Sequence, residues 1–205
     1  MQQRNPFFVI EEFISPLACE DIIYRLNHTT PDYDIENIPL KTVKSNRLSD
    51  IRLLPSLEEY IPDLEAYYEY EHKGILPFNY EWYVPGFKKE NPKCENSAYI
   101  NNKWVRINDY DFTGILFLND YQEKPPFDSS YEVVGGKLEF PYHNFAFNPV
   151  RGTLIIFPGD QHFINHTSPV LAGELNQIRF HMVAESMYNY DKTKFQGSYL
   201  DWFAK

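Results

Sequence analysis

The stretch GTLIIFPGDQHFINHTSPV, residues 152–170, decides the fold prediction. It opens with an apolar run, Leu154 to Phe157, that is typical of a buried strand. A turn of Pro-Gly-Asp follows at residues 158–160, and His162 and His166 come soon after it. If the segment after the turn is extended, these two side chains project to one face, because side chains alternate along a strand. They are therefore candidate metal ligands, although an isolated histidine beside a turn is more often only hydrogen-bonded or exposed.

Outward from this stretch, short strands fill the second half of the chain and helices precede them. The predicted strands are residues 78–84, 112–118, 136–140, 145–147, 152–157 and 177–183. Residues 7–10 predict an opening strand, and Ser15-Pro16 predicts the start of a helix. A capping box at Ser56 predicts a second helix that continues to about Tyr70 and is interrupted early by Pro62. This order favours an α+β fold whose second half is a sandwich or barrel.

Composition and charge narrow the class of protein. A chain of 205 residues is long enough for one domain with its own core. The formal net charge of -10 disfavours nucleic-acid binding. Cys19 and Cys94 show no paired spacing, which suits a reducing compartment. The sequence shows no signal peptide and no apolar run near the roughly 20 residues that span a bilayer. We therefore expect one cytoplasmic domain, residues 1–205, that binds neither membrane nor nucleic acid.

Five stretches, in this order, carry a resemblance to a known family. They are FVI to SPLAC (8–19), WYVPG (82–86), TGILFLN (113–119), GGKLEF (135–140) and NPVRGTLIIFP (148–158). Together they resemble the Fe(II)- and 2-oxoglutarate-dependent oxygenases of the prolyl 4-hydroxylase-like group. The resemblance implies an α+β double-stranded β-helix, a cupin-like jelly roll, with N-terminal helices packed on one sheet. It also implies Fe(II) held by two histidines and one carboxylate, with open positions for 2-oxoglutarate and oxygen.

The proximal metal motif of that family, His-x-Asp, is altered in this sequence. The segment KCEN (93–96) stands in its place, so Lys93 occupies the usual histidine position and Glu95 the carboxylate position. Glutamate oxygen can bind Fe(II), but a protonated lysine has no lone pair to donate. The alternative is that both residues are surface charges on a solvated loop.

The resemblance implies two further site residues. His166 is the preferred distal metal ligand, because FINHTSPV (163–170) resembles the family's distal segment, and His162 is the alternative, because it fits the distance from the turn. Arg179 is the candidate that binds the carboxylate of 2-oxoglutarate, since a guanidinium makes a bidentate pair. The family's usual placement would fall at Leu175, and the alternative for Arg179 is an edge-strand arginine in a salt bridge.

Two functions follow from these residues. The first is an Fe(II)/2-oxoglutarate dioxygenase that hydroxylates a peptidyl proline or another amino-acid side chain, with a peptide or small-molecule substrate. The second is a catalytically inactive jelly roll that has lost the metal triad and serves as a binding or structural module, which Lys93 favours. A fold-level resemblance does not by itself establish chemistry. Glu95, His166 and Arg179 in one cavity would favour the enzyme.

Overall fold

A computed structural model describes residues 4–27, 40–44, 53–86, 91–125 and 130–195. The helices are α1 (Pro16–Asn27), α2 (Leu53–Glu58) and α3 (Ile61–Tyr68), with 3-10 turns at Pro141–His143 and Gln161–Phe163. The strands are β1 (Phe8–Ile10), β2 (Leu40–Lys44), β3 (His72–Ile75), β4 (Asn79–Tyr83), β5 (Ser97–Ile100), β6 (Lys103–Arg106), β7 (Phe112–Phe117), β8 (Asp120–Tyr121), β9 (Glu132–Gly135), β10 (Leu138–Phe140), β11 (Phe145–Phe147), β12 (Leu154–Pro158), β13 (His166–Thr167), β14 (Val170–Gly173) and β15 (Leu175–Ala184). No helix among these residues is long and apolar enough to cross a membrane.

The strands form two layers. The larger sheet has the order β1-β12-β7-β15-β4-β2, with β3 also paired to β15. Two smaller sheets, β11-β10-β13 and β14-β9-β8, form the opposite layer. The layers meet in the interior, where the rings of Phe140 on β10 and Phe157 on β12 lie 4.8 Å apart. This is the α+β jelly roll that the sequence predicts.

The central strand β15 separates the interior from the helices. Gln177, Arg179 and His181 share one face of this strand, and Ile178 and Phe180 share the other, because side chains alternate. The helices cover the second face. The ring of Tyr68, at the end of α3, lies 4.8 Å from that of Phe112 on β7, and the α3 residue Leu64 is fully buried. Each such buried side chain contributes about 1.5–3 kcal/mol, so the helices are firmly packed on this sheet.

The interior has an aromatic side and a polar side. Near β1 and β12, rings fill the space: Phe7 lies 4.7 Å from Phe140 and 5.7 Å from Phe163. Near β4 and β15, the inward row instead carries the buried Arg179 and the mostly buried Glu81, which form an ion pair. Charged groups at such a position require partners, so this polar side is where the candidate site lies.

One helix boundary differs from its sequence prediction. Ser56 lies inside α2 instead of capping it. Helix α2 ends at Glu58, and α3 begins at Ile61. Pro62 stands in the first turn of α3, where its missing N–H is harmless. The predicted capping box at Ser56 is therefore wrong, because α2 already begins at Leu53, and the helix that ends at Tyr68 is a separate one that begins at Ile61.

Candidate functional site

Arg179 lies between two carboxylates inside the jelly roll. Its Nη1 donates a hydrogen bond to Oε1 of Glu95 at 2.6 Å, and its Nε donates to Oε1 of Glu81 at 3.1 Å. The arginine side chain is only 5% exposed. The Glu95–Arg179 pair therefore stands in the interior, as the resemblance implies for a carboxylate and a basic site residue, but the two groups bind each other.

The regular pairing of β4 with β15 places Glu81 beside Arg179. Glu81 lies directly opposite Gln177, and Arg179 is the next residue on the same face of β15. The amide Nε2 of Gln177 donates to Oε2 of Glu81 at 2.6 Å, and the Tyr83 hydroxyl donates to the same oxygen at 3.0 Å. Burial alone would raise the pKa of the Glu81 carboxyl, but Arg179 and these two donors outweigh it and lower the pKa.

Glu95 reaches the interior from an irregular segment. Lys93 and Asn165 exchange two backbone hydrogen bonds, of 3.0 and 2.8 Å, as an isolated antiparallel bridge. The N–H of Glu95 donates to the carbonyl of Gly159 at 3.0 Å. Gly159 itself lies against the carbonyl of Tyr110, where a Cβ would overlap it. These contacts hold the Glu95 carboxylate against Arg179, and Glu95 is buried, so the solvated-loop alternative describes only Lys93, whose side chain is exposed.

His181 is a polar interior residue that the sequence analysis does not include among the candidate site residues. It is the next inward residue on β15 after Arg179, and its Nδ1 lies 3.1 Å from Oγ1 of Thr113. Its ring stacks on Tyr110 with centroids 4.0 Å apart. Burial lowers the pKa of His181 to about 4, with Glu95 opposing that effect. The alternation of residues 177, 179 and 181 was the available signal for its inward direction.

His166 lies on the face of β13 that points away from the interior of the jelly roll. It stands directly opposite Glu139 of β10, and its Nε2 lies 2.7 Å from Oε2 of Glu139. The neighbours of Glu139 on β10, Leu138 and Phe140, are buried in the core, so Glu139 and His166 point away from the interior. Although His166 is itself buried, the structure does not bring it to Glu95.

His162 lies in a turn, away from both Glu95 and His166. The condition that this segment is extended does not hold, because residues 161–163 form a 3-10 turn in which the N–H of His162 donates to Oδ1 of Asp160. Nδ1 of His162 lies 3.1 Å from Oδ1 of Asp160, beside a shallow cleft of about 190 Å³ that Asn96 and Trp104 also line. Within the described parts of the chain, no three His, Cys, Asp or Glu side chains are grouped so as to hold a metal ion.

The two cysteines offer no nucleophile. Both are free and buried. Burial raises the pKa of the Cys19 thiol to about 12 and also raises that of Cys94. Because the reactive form is the thiolate, neither group is activated for covalent catalysis.

Comparison by sequence finds no match to a family model and none to a curated protein. Comparison by structure finds matches to solved proteins. The viral collagen prolyl hydroxylase vCPH from Paramecium bursaria Chlorella virus-1, a 2OG complex, has a TM-score of 0.63 at 14% identity, covering 89% of this chain and 97% of that one. The chain has the fold of the prolyl 4-hydroxylase-like oxygenases.

Two further structures with this oxygenase fold carry informative ligands. A prolyl hydroxylase from Trichoplax adhaerens, in complex with a hypoxia inducible factor peptide fragment, has a TM-score of 0.57 at 15% identity, covering 88% of this chain and 84% of that one. HygX from Streptomyces hygroscopicus, with nickel and 2-oxoglutarate bound, has a TM-score of 0.59 at 11% identity, with the same coverages of 88% and 84%. At such identities the likeness establishes the fold and leaves the chemistry to the site residues.

The described residues do not fit an Fe(II) site of the oxygenase type. Lys93, at the position that the resemblance gives to the proximal histidine, has no lone pair when protonated. Glu95 is bound to Arg179, and the residue facing Lys93 across the bridge is Asn165, whose amide is a weak substitute for imidazole. Neither His162 nor His166 joins them.

Proposed function

We propose that the protein is an oxygenase-fold binding module that does not carry out iron-dependent oxidation. The single observation that carries this proposal is the buried Glu95–Arg179 ion pair, with Nη1 to Oε1 at 2.6 Å. An oxygenase of this fold needs a carboxylate for the metal and a cation for the co-substrate. Here those two groups neutralise each other, and breaking a buried pair costs about 3–5 kcal/mol.

The partner we propose is a peptide or another small polar molecule that binds at the rim of the jelly roll. Lys93 supplies an exposed positive charge there, close enough to the buried site to act on Glu81 and His181. One solved structure of this fold holds a peptide fragment, which supports the same class of partner. We also propose that residues 1–205 act as one cytoplasmic domain, because both thiols are unpaired.

A second candidate is an Fe(II)/2-oxoglutarate dioxygenase that hydroxylates a peptidyl proline or another amino-acid side chain. One observation favours it: Glu95 and Arg179 lie in the same interior, as the resemblance implies. This candidate requires Glu95 to leave Arg179 and a histidine, His166 or His162, to turn towards it.

Anaerobic calorimetric titration of the full chain with Fe(II) and 2-oxoglutarate, followed by oxygen and a succinate assay, separates the two functions. We expect no saturable Fe(II) binding near neutral pH and no succinate above a protein-free blank. Stoichiometric Fe(II) uptake with succinate release would instead establish the dioxygenase. In that case His166→Ala and His162→Ala identify the ligand, because loss of a true ligand abolishes metal uptake.

A further inference from the structure

The shallow cleft of about 190 Å³ next to Asp160 lies between two walls that share one carboxylate. The β5–β6 hairpin forms one wall, and residues 187–190, which follow β15, form the other. Buried Asp111 accepts a hydrogen bond from Nη2 of Arg106 on β6 at 2.9 Å and another from the N–H of Tyr188 at 2.9 Å. The N–H of Ala184, at the end of β15, donates to the same carboxylate at 3.0 Å. The two walls are therefore held in place before any ligand binds.

Asp160 brings to the cleft a carboxylate oxygen that no described residue binds. Its Oδ1 accepts the N–H of His162 at 2.8 Å and lies 3.1 Å from Nδ1 of the same residue. Its Oδ2 accepts no hydrogen bond from the described parts of the chain. Only 15% of the side chain is exposed, so water screens this carboxylate less than it screens one on the open surface. Asp160 thus offers an acceptor oxygen to a ligand that carries N–H donors.

The electrostatic potential in the shallow cleft is negative. Arg106 carries the one permanent positive charge among the described residues that line it, and Asp111 pairs with that charge at 2.9 Å. The phenol of Tyr188 responds to the same potential: burial raises its pKa, and three carboxylates, that of Asp160 first among them, raise it further. Because the whole chain also has a net charge of -10, the cleft attracts cations and repels anions.

Aromatic rings line the same cleft. Trp104 lies on the hairpin wall and Tyr188 on the other wall, and the rings of His162 and Tyr190, with centroids 5.4 Å apart, complete the lining. The faces of tryptophan and tyrosine rings attract cations, and several such rings around one space form the arrangement that binds alkylammonium groups. Aromatic walls and a negative potential therefore point to the same class of ligand.

We propose that the shallow cleft binds the ammonium group of a lysine-type side chain that a peptide partner presents. Asp160 supplies the counter-charge through Oδ2, and Trp104 and Tyr188 contact the ammonium and its methylene stem. The volume of about 190 Å³ is below the roughly 300–1,000 Å³ of sites for drug-sized ligands, so it suits one side chain. This inference rests on the proposed function, in which a peptide is a partner, and gives that peptide a basic residue.

Calorimetric titration of the full chain with Nα-acetyl-lysine amide tests this proposal. Nα-acetyl-norleucine amide is the matched neutral probe, because it keeps the four-carbon stem and lacks the ammonium. We expect saturable binding of the lysine probe in the millimolar range. We expect the norleucine probe to bind about fivefold more weakly or less, because it makes neither the ion pair nor the cation–π contact. This comparison uses the wild type alone, so it does not depend on the folding of any variant.

Three variants assign the binding to the cleft. Asp160→Asn removes the charge but keeps a residue that caps a helical turn equally well, so we expect a folded protein that binds the lysine probe about fivefold more weakly. Trp104→Leu should also weaken binding, because an aliphatic side chain has no ring face. Asp21→Asn is the control: it removes the same formal charge from α1, outside the cleft, and should bind as the wild type does. Melting temperatures establish that each variant is folded.

Equal affinities of the wild type for the two probes would overturn the proposal, as would no saturable binding of the lysine probe. An Asp160→Asn variant that binds this probe as tightly as the wild type would overturn it too. Each of these outcomes is distinct from failure of the proposed function, which is read from Fe(II) uptake and succinate release by the wild type.

Discussion

A guanidinium that is almost fully removed from water, as that of Arg179 is, needs compensating charge within hydrogen-bond distance. Glu81 and Glu95 provide it at 3.1 and 2.6 Å. The predicted alternative for Arg179, an arginine in a salt bridge, thus describes its contacts, although β15 is a central strand and not an edge. One residue therefore links the ladder of β15 and β4 to the segment that carries Glu95.

Gly114 on β7 supports a prediction about packing between the sheet and the side chains that cover it. A Cβ at this position would overlap the ring of Phe180 on the neighbouring strand. We expect Gly114→Ala to lower the free energy of unfolding by about 1–3 kcal/mol, the usual cost of overpacking, measured by urea denaturation. Gly74→Ala on β3 is the matched control, because a Cβ there has no neighbour within 4 Å. Equal losses in both variants would refute the steric explanation.

The identity of candidate site residues was partly predictable from sequence. The family stretches and strand alternation point to Glu95 and Arg179, which the structure brings together. The side towards which His166 points was not predictable, because it depends on the turn that precedes it. Residues 161–163 curl into a 3-10 turn, so a count along an extended strand gives no guide to the face of later residues.

At the scale of elements, the register between Asn165, the residue before β13, and the segment of Lys93 decides the character of the site. Lys93 and Asn165 lie directly opposite each other, and Glu95 is two residues further along the same segment. Asn165 is fully buried, and its Oδ1 has no hydrogen-bond partner among the described residues. The face of this bridge that Glu95 shares thus presents a buried amide and a buried carboxylate, with the ammonium of Lys93 exposed at its rim.

This register predicts which substitutions create a metal site. Lys93→His/Asn165→His places two imidazoles opposite each other, on the strand face that also presents Glu95. We expect the double variant to bind Ni²⁺ or Co²⁺ in calorimetric titration at least tenfold more tightly than the wild type. Two imidazoles and a carboxylate suit these ions, and such affinity is worth about 1.4 kcal/mol per tenfold.

Lys93→His alone is the control for this prediction. It retains His166, which faces Glu139 on the outer side, so we expect no gain in affinity. Gain in the single variant equal to that of the double variant would show that His166 reaches the interior and would contradict the described alternation. Circular dichroism of each variant establishes that it is folded.

The long strands were predictable because their patterns are strong, and several shorter elements were not. The predicted strands at 78–84, 112–118 and 177–183 correspond to β4, β7 and β15, each apolar enough to signal burial. The β5–β6 hairpin, by contrast, is exposed on much of its surface and has no apolar period to detect. Two-residue strands such as β13 exist only through their tertiary partners, which a local pattern does not contain.

Across the whole molecule, the polar side of the interior couples folding to pH. The charges on Arg179 and Lys93 offset those on Glu81 and Glu95, and His181 is held neutral beside them, since burial is the main cause that lowers its pKa to about 4. Protonation of this imidazole is therefore easier in the unfolded chain, where the ordinary value is 6.5. Its contribution to stability is complete above pH 6.5 and is lost as the pH falls from 6.5 towards 4.

Urea denaturation at pH 7 and at pH 5 tests this coupling. We expect the wild type to lose about 2 kcal/mol more of its free energy of unfolding over this interval than His181→Gln does, since each pKa unit corresponds to about 1.4 kcal/mol. Glu81 does not interfere, because its pKa is lowered from 4.5 and its contribution to stability is lost only in more acidic solution.

His72, whose pKa burial also lowers, is the matched control. The His72→Gln variant should retain most of the loss in free energy of unfolding, since the His72 side chain is only partly buried. If His181→Gln and the wild type lose the same free energy, the imidazole of His181 is not held neutral by the fold, and its place in the polar interior would have to be reassigned.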